Sequence, residues 1–421
     1  VEELVEAVRR GDAERVLHLL EDGADPDTLD PAEGVPVLCT AVAAYDQDVA
    51  SALVQGGADP LRPLPDGTTA LLRAVDGGSE LMTHTLLPEP VRVDALLRQE
   101  LLARARHWVE TGVAEELRRR TGLEGPPERT AVRNTDFDVE YDEYQQFTLG
   151  GLTARDGHAA VLTLLEERFG VRTPFDELMA RALTHPDRDH AVWRQAVFTL
   201  GRREDEEDWA AARKLSGHPD RLHRLFAADA LHSLAMGDLM TEDEPFAGRA
   251  RELLPWAERE RDPEVLAVVL QALNYDSGPD IEALGLSYLT HSDPLVRLQV
   301  PATLEQTEER LLARPENLTA VLALTRDPDA CVREAACNWL VLYRGREPEV
   351  CDALFALTRD EQERTRAHAV AGLAHRDDPR CEEADERLGA VSDSVMSGTV
   401  VSAMFWYRER RAEAAEAAED G

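Results

Sequence analysis

The strongest constraint on this chain's fold is that it repeats itself twice, in two different grammars. "DGADP" at 22–26 returns as "GGADP" at 56–60, and "GVPVLCTAV" at 34–42 matches "GTTALLRAV" at 67–75, offsets of 34 and 33 residues. A period in this range marks helical units that cannot bury their apolar faces alone and must stack on neighbours. Between the anchors lie short helical patterns, "LVEAVRRG" then "AERVLHLLED", and "LCTAVAAY" then "DVASALVQG". Each unit reads helix, tight turn, helix, loop. Gly23 and Gly57 end the second helices, where a left-handed residue is wanted, and Asp25 and Asp59 are placed to bond turn amides. Ala41 and Ala74 predict close approach of adjacent helices.

Period and signature resemble ankyrin repeats, carried by "GADPDTLDPAEGVPVLCTAV" and "GADPLRPLPDGTTALLRAV". Residues 1–11 resemble the first helix of a capping repeat. After "SELMTHTLL" the pattern ends in "PEPVRV", so the array stops near residue 90. The resemblance implies a protein-binding surface on the turn tips and the first-helix groove.

From about residue 152 a second grammar begins, in which a polar turn with Asp and usually Pro precedes an apolar helix. Its phrases include "THPDRDHAVWRQAVFTLG", "GHPDRLHRLFAADALHSLA", "HSDPLVRLQVPATL" and "RDPDACVREAACNWLV". Pro at the first helical position costs no hydrogen bond. The phrase Asp-Pro-x-Val-Arg, best seen in "DPLVRLQVPATL" and "DPDACVREAACNWL", resembles HEAT repeats, in particular the phycobilisome-lyase-like variety. Bilin chemistry is not carried over, because such repeats also occur in proteins that do no chemistry. The expected fold class is all-α: tandem superhelical solenoids, with ankyrin repeats at 1–91, a helical junction at 92–151, HEAT-like repeats at 152–407 and a charged tail at 408–421.

The junction holds two unlike pieces. Leu96, Leu97, Leu101, Leu102, Ala105 and Trp108 form the apolar face of a helix, and a second, shorter segment ends in Arg118-Arg119-Arg120 and Gly122. Then comes "NTDFDVEYDEYQQF", 134–147, with five carboxylates, four aromatic rings and no cation. Phe137, Val139 and Tyr141 alternate with acids, a strand period. This segment is read as an extended clasp that covers the open end of one array, with a docking strand for a basic partner as the alternative. Thr153 is expected to start the next helix.

Net charge is −36. By region, acids and bases number 18 and 5 in 1–91, 7 and 9 in 92–133, 5 and 0 in 134–151, and 52 and 32 in 152–421. The acidic balance argues against direct nucleic-acid and anionic-membrane binding and against a DNA-glycosylase use of the HEAT-like groove, which would need basic residues. Partners should be proteins with neutral or basic surfaces. Five cysteines without a Cys-x-x-Cys pair argue against a disulfide framework and for a reducing, cytoplasmic setting. The N-terminus shows no signal-peptide pattern.

Arg194, Arg224, Arg297, Arg333 and Arg366 occupy equivalent places in successive second helices. They read as an internal ladder bonding neighbouring repeats or as a stripe gripping an acidic peptide. With Phe137, Tyr141 and Tyr144 they are the candidate partner-binding residues. His185, His218 and His291 sit in matching turns, and "HPDRDH" at 185–190 is the only tight His/Asp cluster; these read as turn and cap residues, so no metal, cofactor or catalytic residue is assigned. A non-catalytic scaffold or adaptor that binds a partner protein through the ankyrin turn tips and the concave HEAT groove is the expected function. Two rivals remain: an enzyme or enzyme subunit using a pocket near His107, Trp108, Asp136 and Tyr141, and an acidic nucleic-acid mimic.

Overall fold

A computed structural model describes residues 2–136, 140–203, 205–237, 248–304, 314–343, 345 and 347–419. The fold is helical throughout except for two small antiparallel sheets. Contacts divide the chain into two compact units, 1–203 and 204–421.

The N-terminal unit opens with three helix pairs: Glu2–Arg10 with Ala13–Glu21, Val37–Ala44 with Gln47–Gln55, and Ala70–Gly77 with Glu80–Leu86. Polar caps start the second helices, with Asp12, Asp46 and Ser79 each accepting a backbone N–H. Ala41 and Ala74 are buried in the first helices, as close approach requires. Strands β1 (Leu29–Asp30) and β2 (Val35–Pro36) form a short hairpin between the first two pairs.

Helix Ala95–Thr111 packs on this stack and buries Leu101, Ala105 and Trp108, whereas Leu96 is 77% exposed. Helix Val113–Thr121 ends at Gly122 in the left-handed conformation. The segment that follows is a sheet, in order β3 (Glu128–Asp136), β4 (Glu140–Leu149), β5 (Leu152–Arg155). Of the acidic-aromatic stretch, Glu140–Phe147 lies in β4 and pairs antiparallel with β3, with Thr135 opposite Tyr141 and Arg129 opposite Phe147; Val139 lies outside the described residues. Phe137 and the side chain of Tyr141 lie outside the described residues. Tyr144 is buried beside Ala159, Ala160, Ala191 and Val192.

The helix expected from Thr153 starts instead at His158, because Leu152–Arg155 pairs with Gln146–Leu149 as a third strand. Helices His158–Arg168, Phe175–Leu183 and Ala191–Gly201 complete the unit. Its main core joins residues of the N-terminal helix pairs to Leu101, Ala105, Val161, Leu162 and Leu165.

The C-terminal unit is a succession of helix hairpins whose second helices run along one another. Arg221–Gly237 touches Pro263–Leu273, which touches Pro294–Thr303, then Ala330–Leu342, Glu363–His375 and Ser394–Glu419. Asp262 and Asp293 cap their helices directly before Pro263 and Pro294, so these prolines occupy the first helical position. At Pro328 the cap is the next residue, Asp329.

Candidate functional site

In the N-terminal unit a cavity of about 460 Å³ lies against the first helices of the second and third helix pairs. Cys39, Val42 and Tyr45 form one wall, and Arg73, Asp76 and Gly77 a second. Trp108, Leu117 and Arg120 from the junction helices and Gly151–Thr153 from the β4–β5 turn enclose it. The first-helix groove is therefore partly occupied by the chain's own junction.

Asp76 organises the enclosing wall. It accepts the Trp108 indole N–H at 2.8 Å, Arg104 at 2.9 Å and both terminal nitrogens of Arg120 at 3.0 Å. Arg120 also donates to Glu116 at 2.7 Å, and its guanidinium lies 4.6 Å over the Trp108 ring. His158 stacks on the same indole at 4.4 Å and 8°, with its Nε2 3.1 Å from the Asp76 carbonyl. Burial lowers the His158 pKa to about 4, so the ring is neutral at pH 7.

Glu116, fully buried, receives Arg119 twice at 2.6 Å and His107 at 3.0 Å besides Arg120. Burial alone would raise its pKa, but the hydrogen bonds from Arg119, Arg120 and His107 outweigh this and hold the carboxyl at about 2. Two anions are thus shared among several donors, in geometry that favours stability of the ionised state.

On the opposite wall, among the described residues, Asp66 and Tyr45 are hydrogen-bonded and the Cys39 thiol is buried. Asp66 is bound by the Thr68 amide and hydroxyl and by Arg73. The Tyr45 hydroxyl donates to the Gly77 carbonyl at 2.8 Å, and burial pushes its pKa up to about 12. Burial likewise raises the Cys39 thiol. Tyr45 itself is left-handed, φ 56°, where it ends its helix. Arg155 lies 3.9 Å over its ring and 5.4 Å over that of Tyr144.

Of the polar cluster expected here, Trp108 lines the cavity, whereas His107 stands behind it on Glu116. The side chains of Asp136 and Tyr141 lie outside the described residues. Of the two residues that carry most of the geometry, Asp76 has no signal in the sequence and Arg120 shows there only as a cation at a helix end. Asp76 lies 32 residues from Trp108 and 44 from Arg120, and no periodicity links them.

A second polar cluster joins β5 to the turn at 184–190. Asp156 follows β5, its Oδ1 accepting the Gln145 N–H at 2.8 Å and facing His190 Nε2 at 3.1 Å. Its Oδ2 lies 3.7 Å from His185 Nδ1. His190 caps the helix Ala191–Gly201 by accepting the Val192 N–H on Nδ1 at 3.2 Å, which places the ring proton on Nε2.

In the C-terminal unit the arginines stand in register. Arg224 holds both carboxylate oxygens of Glu260 at 2.9 and 3.1 Å, Arg297 those of Asp327 at 2.7 and 2.8 Å, and Arg333 those of Asp360 at 2.6 and 3.3 Å. Each also donates to two carbonyls of its own turn. Arg366 donates to the carbonyls of Asp360 and Glu361. The acid always stands two residues before the next helix cap: Glu260 before Asp262, Asp327 before Asp329, Asp360 before Gln362. Before the last cap, Asp393, that position is Val391, which cannot pair with Arg366. Where the arginine position is Leu266, the acid position is His291. Arg194 lies on Ala191–Gly201 in the N-terminal unit.

A family model described as HEAT repeats matches residues 317–394. Residues 317–394 are HEAT repeats. They span the rung from Arg333 to Asp360 and the start of the next. No curated protein matches the chain. Among solved structures, an engineered protein from the Northeast Structural Genomics Consortium is similar over 96% of this chain and 98% of its own, at 16% identity and a TM-score of 0.40. No helix among the described residues is long and apolar enough to cross a membrane.

Proposed function

We propose that the chain is a non-catalytic adaptor that binds another protein. In this reading the first 91 residues are an ankyrin-repeat array, its first-helix groove is the binding surface, and the cavity takes an apolar side chain of the partner. The HEAT repeats offer a second surface, as such repeats commonly do. The observation that carries the reading is the state of the cavity's polar groups. Asp66, Asp76, Arg73 and Arg120 are engaged with one another or with their neighbours, and burial keeps Tyr45 and Cys39 protonated. Such a lining orients a ligand without activating it. All five cysteines are free, which fits a reducing compartment.

Ala43 lines the cavity from an exposed position, so Ala43→Trp fills it without disturbing the core. Crosslinking capture with the full chain should recover a partner that is lost with Ala43→Trp. If a small molecule co-purifies instead and the variant loses it while keeping every protein, the adaptor reading fails and the enzyme reading replaces it.

A further inference from the structure

Two turns of this chain share the pattern His-Pro-Asp-Arg-x-His, at 185–190 and 218–223. In both the two imidazoles stack, with ring centres 3.9 Å apart at 5° in the first and 4.1 Å apart at 25° in the second. Stacking is therefore a property of the turn and by itself indicates no ligand. The first turn differs in a third group brought from elsewhere in the fold, Asp156. One donor atom from each of Asp156, His185 and His190 lies within 4.8 Å of the other two. At the second turn the carboxylate against the rings is the turn's own Asp220, whose side chain is 51% exposed.

We propose that Asp156, His185 and His190 form a binding site for a divalent transition-metal ion. Two imidazole nitrogens and one carboxylate oxygen suit Zn²⁺, Co²⁺ or Ni²⁺ rather than Mg²⁺ or Ca²⁺, which prefer oxygen. Metal–donor bonds of about 2.0–2.2 Å place neighbouring donors roughly 3.0–3.5 Å apart. The 3.1 Å separation of Asp156 Oδ1 and His190 Nε2 fits one such edge. The 3.7 Å between Asp156 Oδ2 and His185 Nδ1 is too long for a hydrogen bond, and the His185 ring, now parallel to that of His190, must turn out of the stack to aim its lone pair at the same ion. The Gln145 N–H holds the same Oδ1 that faces His190 and so fixes the carboxylate's orientation. The His190 side chain is 7% exposed, that of Asp156 11% and that of His185 27%, so the site opens to solvent on the His185 side, where water completes the coordination.

The ion must displace the proton between His190 and Asp156. That proton moves to Nδ1, and the Val192 cap bond is given up. Binding therefore exchanges one helix-capping hydrogen bond for a metal bond, and it ties the β-sheet to the turn before Ala191–Gly201.

The test titrates the full chain, stripped of metal, with Co²⁺ and follows its visible d–d bands. One equivalent should saturate the signal. Asp156→Asn and His185→Ala should each weaken binding by more than about tenfold, as losing a ligand must cost at least what losing an outer-shell partner costs. His218→Ala, at the turn without the third ligand, should leave it unchanged. His185 is on the solvent side, so His185→Ala decides the matter if Asp156→Asn does not fold. Absence of a saturable spectrum, its survival in His185→Ala, or an equal loss in His218→Ala overturns the proposal.

Discussion

The two units bury charge in opposite ways. In the N-terminal unit Asp76 and Glu116 are knotted together through Arg120, with Arg104, Arg119, Trp108 and His107 attached to one or the other. In the C-terminal unit Arg224, Arg297 and Arg333 each hold one part-buried carboxylate at the following turn, and Arg333 also reaches the exposed Glu361. Repetition allows a chain to divide its buried charge into equal portions, each satisfied by one neighbour. The junction follows no repeat, and its charges are satisfied only as a group. A knot of this kind should respond to damage cooperatively and a ladder locally.

The largest effect is expected where the knot has its centre. Arg120→Ala leaves Glu116 and Asp76 short of a partner, and urea unfolding should show a loss of about 2–4 kcal/mol in the N-terminal unit. Close behind comes Gly78→Ala in the same region. Gly78 has φ +67°, and an added Cβ would sit 2.2 Å from the Arg155 carbonyl and 2.5 Å from His158 Cε1. A loss of about 3 kcal/mol is expected, against about 1 kcal/mol for Gly23→Ala, whose φ is +91° but which meets nothing within 4 Å.

Along the ladder, Arg333→Ala should cost about 2 kcal/mol and Arg366→Ala less than about 1 kcal/mol, because Val391 provides no carboxylate for the last rung. Equal losses for the two arginines would show that the turn carbonyls, not the acids, set the stability of a rung. A double-mutant cycle sharpens the contrast. Asp76→Asn with Glu116→Gln should show coupling above about 1 kcal/mol, and Arg224→Ala with Arg333→Ala less than about 0.5 kcal/mol.

Acid should act on both units. The Glu116 and Glu260 carboxyls are each held at about 2, in both cases because hydrogen-bond donors outweigh the effect of burial. A folded-state pKa below the unfolded value of 4.5 gives stability that is complete above that value and lost as pH falls toward 2. Urea midpoints at about pH 6 and pH 3 should differ for the wild type, and the difference should shrink in Arg120→Ala for the N-terminal unit only.

What could be read from the sequence was what recurs or alternates. The helix pairs, the Asp caps and the arginine register all repeat, and the alternation through β4 marked a strand. Its partners did not show. Glu128–Asp136 is polar with no clear period, and Leu152–Arg155 runs directly into a helical pattern, so it read as helix. The candidate sites depend on contacts between distant residues with no shared pattern, Asp76 with Trp108 and Asp156 with His190. Even the His-Pro-Asp-Arg-x-His turn carried two of the cluster's three members in plain view, while the third stood 34 residues away from His190.

The core that joins Leu4 and Leu38 to Val161 and Leu165 has a consequence for how the protein is made. The first three helix pairs are complete as sequence by residue 87, and Leu101 and Ala105 follow closely, but the rest of the cover for their last face, Val161 to Leu165, lies some 70 positions further on. At about 5–20 residues per second on a ribosome, that face stays partly uncovered for several seconds. A chain cut at residue 91 loses all of this cover and one cut at 151 loses the Val161–Leu165 part, so a fragment meant to behave independently should end near residue 203.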